Sequence, residues 1–134
     1  MESKRQATID LVTKCQDGSY VMCLVEEGPW EPDDIESQLR RLQERLYGCV
    51  DVAVDGHLAK LYPDSKGKRV IIRLDCYDTP EKSVKEFFER FADLVREWDE
   101  VQRDIKQLGF IDSLELSIRE ERYAMGANKR VEGG

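Results

Sequence analysis

The chain has 134 residues, of which 40% are apolar and 37% are charged, and its net charge at pH 7 is −7. A chain of this size and apolar content can fold as a single domain around its own core. The excess of carboxylates argues against nucleic acids and anionic membranes as partners, because both are negatively charged, and it favours a partner with a basic surface.

A hairpin is the first predicted element. Two runs rich in apolar and β-branched residues flank the dipeptide Asp17-Gly18. Asp-Gly is typical of a two-residue type I′ turn, because both central positions of that turn need positive φ. This turn predicts a register in which Leu11 lies opposite Leu24. The predicted strands are residues 8–15 and 20–26.

A long helix is predicted next. Gly and Pro in residues 28–32 end the second strand, and apolar side chains then recur with helical spacing as far as Gly56. Valines alternate in residues 50–54, so a strand after a break at Gly48 is the alternative. We favour one helix over residues 33–56, because its spacing passes through Gly48 without a phase shift. The apolar seam consists of Ile35, Leu39, Leu42, Leu46, Cys49 and Ala53.

A turn and a third strand follow the helix. The composition of residues 63–67 predicts the turn, and residues 69–77 alternate as a strand does. Thr79 as N-cap and Pro80 at the first helical position then predict the start of a second helix. The apolar face of the third strand consists of Val70, Ile72, Leu74 and Cys76.

The second helix carries the most regular pattern in the chain, an apolar ladder with 3-4-3-4 spacing that ends before Gly109. From Trp98 onward the apolar stripe narrows to a width typical of a helix–helix seam, and its neighbours are charged. We therefore predict that residues 98–108 contribute to a contact with a second copy or another protein. The ladder consists of Val84, Phe87, Phe91, Leu94, Trp98, Val101, Ile105 and Leu108.

The last predicted strand covers residues 113–119, where Leu114, Leu116 and Ile118 alternate with polar residues. Periodicity is lost after it, so residues 123–134 are predicted to be a flexible tail and residues 1–122 one domain. The order β-β-α-β-α-β predicts an α+β fold, with two helices packed on an antiparallel sheet.

The chain is expected to be cytoplasmic and to bind no metal or cofactor. No apolar run approaches a membrane span, and the charged N-terminus lacks the apolar stretch of a signal peptide. The four cysteines show no CxxC spacing, and His57 is the sole histidine, so free buried thiols are expected rather than a zinc site. The positions concerned are Cys15, Cys23, Cys49 and Cys76.

Three segments carry a resemblance to a known family. They are the hairpin around Asp17-Gly18, the run LRRLQERL at residues 39–46 and the run LYPDSKGKRVII at residues 61–72. Together they resemble a family of small bacterial proteins catalogued as a domain of unknown function, over roughly residues 8–95. The resemblance implies a compact α+β domain in a bacterial cytoplasm, and it transfers no active-site residue.

One basic cluster stands out in this acidic chain. An anion or phosphate site is conceivable there, with Gly67 letting the backbone approach the ligand. The segment matches no P-loop, and charge runs more often mark a solvated surface. The candidate anion-binding residues are Lys66, Lys68, Arg69 and Arg73.

The sequence therefore favours a non-enzymatic interaction module with no catalytic residues. We expect it to form a homodimer through the second helix or a sheet edge, or to act as an acidic inhibitor or immunity-type protein on a basic partner. The alternative is a small-ligand or anion-binding protein, or an enzyme, that uses the basic turn from Lys66 to Arg73. The predicted interaction residues are Phe91, Leu94, Trp98, Val101, Ile105 and Leu108.

Overall fold

A four-stranded sheet organises the part of the chain that the computed structural model describes, residues 9–79 and 83–121. The strands lie side by side in chain order. They are β1 (Leu11–Lys14), β2 (Tyr20–Glu26), β3 (Lys68–Tyr77) and β4 (Ile111–Glu121). The helices are α1 (Ile35–Val54), α2 (His57–Leu61), α3 (Ser83–Glu97) and α4 (Asp99–Leu108), and short 3-10 turns cover Pro32–Asp34 and Pro63–Ser65.

The predicted α+β class is confirmed, but the antiparallel sheet is right only for the first pair of strands. The hairpin strands β1 and β2 pair antiparallel, whereas β2 with β3 and β3 with β4 pair parallel. Helical connections explain the difference, because a strand followed by a crossover helix returns the chain to the same end of the sheet. The sheet is therefore mixed, with four helices among the described residues rather than two.

The core lies between one face of the sheet and the helices. Tyr20, Met22 and Leu24 of β2 lie beside the alternating apolar residues of β3, which in turn lie beside those of β4. All of these join the buried residues of α1, α3 and α4 in a single apolar cluster. The predicted apolar face of the third strand is confirmed, since Val70, Ile72, Leu74 and Cys76 are all fully buried.

The first helix forms as predicted. α1 runs without interruption from Ile35 to Val54, and Gly48 is buried within it. The alternative strand over residues 50–54 is therefore wrong, because Val50 and Val54 lie one helical turn apart and both join the core. Gly56 follows with a φ of 100°, a left-handed conformation that ends α1 and begins α2.

The predicted hairpin register is wrong by one residue. The Cys15 amide donates to the Ser19 carbonyl at 2.8 Å and the Gly18 amide donates to the Cys15 carbonyl at 3.0 Å, so the loop has three residues rather than two. Gly18 has positive φ (92°), as expected where a glycine completes such a loop. Consequently Leu11 lies opposite Cys23 and stays exposed, while Val12 lies opposite Met22 and packs against the core.

The second predicted helix is two helices. α3 ends at Glu97 and α4 begins at Asp99, because the backbone of Trp98 is extended (φ −82°, ψ 102°). The Gln102 side chain donates to the Val95 carbonyl at 3.0 Å, which satisfies a group at the end of α3. Asp99 and Glu100 lie in the first turn of α4, where carboxylates favour a helix start.

Two predictions concern residues that the structure does not describe. The predicted helix start at Pro80 and the predicted tail over residues 123–134 lie outside the described residues. The described α3 begins at Ser83, and β4 extends to Glu121.

Candidate functional site

The six predicted interaction residues differ in exposure. Phe91, Val101 and Ile105 are buried within the chain, and Trp98 is partly buried against the core. Leu94 and Leu108 are about half exposed (47% and 49%). Half of the set therefore contributes to the core of this chain itself, and the surface that remains is formed by Trp98, Leu94 and Leu108.

Tyr47 of α1 fixes the junction between α3 and α4. Its ring makes edge-to-face contacts with Phe91 at 5.1 Å and with Trp98 at 5.7 Å, measured between ring centroids. Such aromatic pairs add stability beyond that expected from the apolar area that they bury. Tyr47 is not among the predicted seam or interaction residues. It directly follows Leu46 of the predicted seam, which indicates a wider apolar stripe on α1.

A groove of about 270 Å³ runs between α1 and α4, beside this junction. Its floor is apolar and its rim is acidic. Residues spaced four apart lie on one side of a helix, so each helix contributes both apolar and acidic neighbours to the groove. The apolar residues are Val50, Val54, Trp98, Val101 and Leu108, and the acidic ones are Asp51, Asp55, Glu100 and Asp104.

The electrostatic character of this acidic groove is uniform. Four of the nine residues that line it are Asp or Glu, and within the described part of the chain no Lys or Arg lines it. The Asp55 carboxylate also accepts a hydrogen bond from the His57 amide at 3.1 Å, which holds it at the end of α1. Within the described ranges, no group of three or more His, Cys, Asp or Glu side chains is arranged to hold a metal ion. The groove therefore places apolar and acidic groups side by side on the surface between α1 and α4.

The four predicted anion-binding residues differ in their contacts within the chain. Arg69 forms a two-point contact with Glu115 (2.8 and 3.1 Å) and lies 3.4 Å from Asp17. The hydrogen bond from Arg69 lowers the pKa of Glu115 below its usual value. Arg73 forms a comparable contact with Asp75, while Lys66 and Lys68 are exposed at the turn. The charges of both arginines are thus balanced by carboxylates of the chain.

A buried polar cluster lies on the sheet face opposite the helices. Asp75 is 5% exposed, and its carboxylate accepts hydrogen bonds from Arg73 at 3.0 and 3.1 Å and from the Cys23 thiol at 3.3 Å. Arg119 of β4 approaches the same carboxylate at 3.5 Å. Arg73 was predicted to belong to an anion site, but Asp75, two residues further along β3 and on the same face, is its partner.

A larger cavity of about 370 Å³ lies beside the loop between β2 and α1. Its polar groups mainly bond to the chain itself. Arg45 donates to Glu26 at 2.5 Å and to Asp10 at 3.2 Å, and Gln38 bonds to the backbone of Pro29 and Glu31. These contacts hold the loop in place, so the cavity is less suited to an external ligand than the acidic groove.

The four cysteines are free, and they differ in burial. Cys23, Cys49 and Cys76 are buried, whereas Cys15 is only partly buried. Burial raises the pKa of Cys49 to about 12 and that of Cys76 to about 12. Burial, followed by the hydrogen bond to Asp75, raises the pKa of Cys23 as well. Three thiols are therefore held in their unreactive, protonated form.

We expect Cys15 to react first when the native protein is treated with a chromogenic disulfide reagent at mildly alkaline pH. The other three thiols should react only as fast as the protein opens, and Cys15→Ser should remove the fast phase. The raised pKa values of the three buried thiols have a second consequence. The free energy of unfolding should fall as the pH rises above the ordinary thiol value towards 12, because the unfolded chain then loses protons that the folded chain retains. A fast phase that survives in Cys15→Ser would contradict this assignment.

Comparison with known proteins gives one match. A model of a family of unknown function (DUF6572) matches residues 1–106, which include all of α3 and most of α4. Searches of curated proteins and of solved structures found no match. No helix among residues 9–79 and 83–121 is long and apolar enough to cross a membrane. The family match confirms the predicted resemblance and extends its range beyond residues 8–95, and the chain therefore belongs to this family of unknown function.

Proposed function

We propose that this protein is a non-enzymatic binding module that holds a basic segment of a partner protein in the acidic groove between α1 and α4. The observation that carries the proposal is the combination of an apolar floor with four carboxylates around it. Lys and Arg side chains have long apolar stems and a cationic end, so one such side chain can satisfy both parts of the groove. The Trp98 ring adds a face to which a cation is attracted.

The charge of the whole chain supports the same kind of partner. With a net charge of −7, the protein attracts basic surfaces over a distance, which speeds their association and disfavours acidic competitors. An inhibitor of the immunity type, which masks the basic surface of another protein, is the narrower form of this proposal.

The size of the groove favours a single side chain of a partner over a whole small molecule as its occupant. At about 270 Å³ the groove lies below the range of about 300–1,000 Å³ that is usual for small-molecule sites. The alternative site at the basic turn has less support, because Arg69 and Arg73 are each bound to a carboxylate. An anion would have to displace Glu115 or Asp75 before it could use them.

The test is the affinity for a fluorescent peptide of alternating lysine and leucine, measured by anisotropy. In the variant Glu100→Gln/Asp104→Asn we expect the Kd to rise about tenfold, because each lost exposed charge contact weakens binding by up to about 1 kcal/mol. The loss should shrink at high salt. The matched control is Glu86→Gln/Glu89→Gln, which removes the same charge from exposed positions of α3.

The control separates the groove from net charge. If the α3 variant weakens binding as much as the α4 variant does, the peptide responds to overall charge and the acidic groove is not its site. If neither variant changes the Kd, or if a peptide with glutamate in place of lysine binds equally well, the proposal is wrong.

A further inference from the structure

The two edges of the sheet differ greatly in length. β1 forms one edge with four residues, while β4 forms the other with eleven. Among the described residues, β4 pairs only with β3, so the backbone groups along its outer side have no strand partner. A short edge strand is a common protection against pairing with other chains, and β1 has it. β4 lacks both this protection and a proline.

We propose that two copies of this chain pair through β4, antiparallel across a two-fold axis, to form a continuous eight-stranded sheet. The axis of such a pair is perpendicular to the sheet, so each residue lies opposite one that points to the same face. The proposal concerns a surface away from the acidic groove, and it does not rest on the proposed function.

Charge selects the register of this pair. With the axis at Ser117, Glu115 lies opposite the partner's Arg119, and the reciprocal contact forms as well. An axis at residue 115 would place two glutamates together, and an axis at residue 118 would place Glu115 opposite the partner's Glu121. Opposite charges across antiparallel strands stabilise pairing and like charges weaken it. Ser117 is thus the favoured centre.

The side chains concerned are free to make these contacts. Arg119 is 55% exposed, and its contacts within the chain are long, 3.5 Å to Asp75 and 3.7 Å to Glu121. Glu115 is 50% exposed, and each of its carboxylate oxygens accepts a hydrogen bond from Arg69. In the dimer, Glu115 would lie between Arg69 and the partner's Arg119 and would pair with both guanidinium groups.

The apolar face of β4 supports the same register. Leu116 and Ile118 pack against the core but remain only partly buried, because no strand lies beyond them in the described part of the chain. With the axis at Ser117, Leu116 lies opposite the partner's Ile118 on the core face. The pair would therefore extend the apolar cluster from one copy into the other, which is the usual source of stability in such interfaces.

The experiment uses the full chain and its mass in solution, measured by sedimentation equilibrium from micromolar to millimolar concentration. The wild-type protein should reach twice its 15.6 kDa mass. Ser117→Asp and Ser117→Lys each place two like charges opposite each other at the axis, and each should raise the dimer Kd by about tenfold or more. An equimolar mixture of the two variants should recover the dimer, because opposite charges then meet at the same point.

Ser83→Asp is the matched control, since it adds the same charge at an exposed position of α3 and should leave the mass unchanged. Recovery in the mixture also excludes unfolding as the cause of dissociation in the single variants. A wild-type protein that stays monomeric at millimolar concentration would overturn the proposal. So would a dimer that Ser117→Asp and Ser117→Lys leave intact.

Discussion

Replacing Ile105 by alanine is expected to lower the free energy of unfolding by about 2–5 kcal/mol, the usual range for a large aliphatic side chain removed from a core. Ile105 is 6% exposed and belongs to the single apolar cluster. The equivalent change at Leu108, Leu108→Ala, should alter stability by no more than about 0.5 kcal/mol, because that side chain is half exposed. Both residues belong to α4 and to the same predicted seam.

Urea unfolding of the two variants at several protein concentrations measures this difference. If the seam of α4 packs within the chain, the loss in Ile105→Ala should not depend on protein concentration. If the seam instead pairs with another copy, Leu108→Ala should destabilise the protein as strongly as Ile105→Ala, and both losses relative to the wild type should change with protein concentration. An equal loss in the two variants would contradict the packing of the α4 seam within the chain.

Periodicity predicted part of the buried face of α3 and α4, but not the break between the two helices. Of the ladder from Val84 to Leu108, which is evident from spacing alone, four members are buried, and three buried residues of α3 lie outside it. The buried members are Val84, Phe91, Val101 and Ile105, and the buried residues outside the ladder are Phe88, Ala92 and Val95. The extended backbone at Trp98 interrupts the helix without interrupting the ladder. Spacing could not reveal it, because a residue can leave the helical conformation while the residues on both sides keep the spacing. The Trp98 ring at this break packs against Tyr47, a residue distant in sequence.

The direction in which β3 pairs with its neighbours was the largest error in the predicted fold, although the sequence of β2 carried a signal for parallel pairing. Five consecutive residues at its start, Tyr20 to Leu24, are buried, on both faces of the sheet. Continuous apolar runs are typical of strands inside parallel sheets, whereas alternation is typical of strands with one solvated face. The Asp-Gly turn correctly predicts an antiparallel hairpin of β1 and β2, but it carries no information on how β3 and β4 pair.

The acidic groove was beyond prediction from sequence for a different reason. Its carboxylates come from α1 and α4, about fifty residues apart in the chain, and each pair looks like an ordinary solvated helix flank. Only the packing of α4 against α1 brings them together. Net charge alone favours a partner with a basic surface, which stays a prediction, and it could not place a site on the chain.

The two proposed surfaces differ in their relation to the family. All residues that line the acidic groove except Leu108 lie within residues 1–106, the part of the chain that the family model matches. β4 begins at Ile111 and lies wholly outside that match. Binding of a basic segment is therefore a hypothesis that other members of the family can test, whereas pairing through β4 concerns this chain.

Replacing Gly56 by alanine is expected to destabilise the protein by about 2–4 kcal/mol, through two separate effects. The φ of 100° at Gly56 is strained for any residue with a Cβ atom, at about 1 kcal/mol. The added Cβ would also lie 2.8 Å from the ring of Phe110, and such overpacking adds about 1–3 kcal/mol. Gly67 is the matched control, because its φ of 75° is also positive but a Cβ there meets no atom within 4 Å.

A double-mutant cycle separates the two effects. Gly67→Ala should show the strain alone, about 1 kcal/mol. In a Phe110→Ala background, Gly56→Ala should likewise fall to the strain alone, because the ring that it would strike has been removed. Chemical unfolding of the four proteins of the cycle provides the numbers. If Gly56→Ala costs the same with and without the Phe110 ring, contact with that ring does not fix the corner between α1 and α2, and backbone conformation alone requires glycine there.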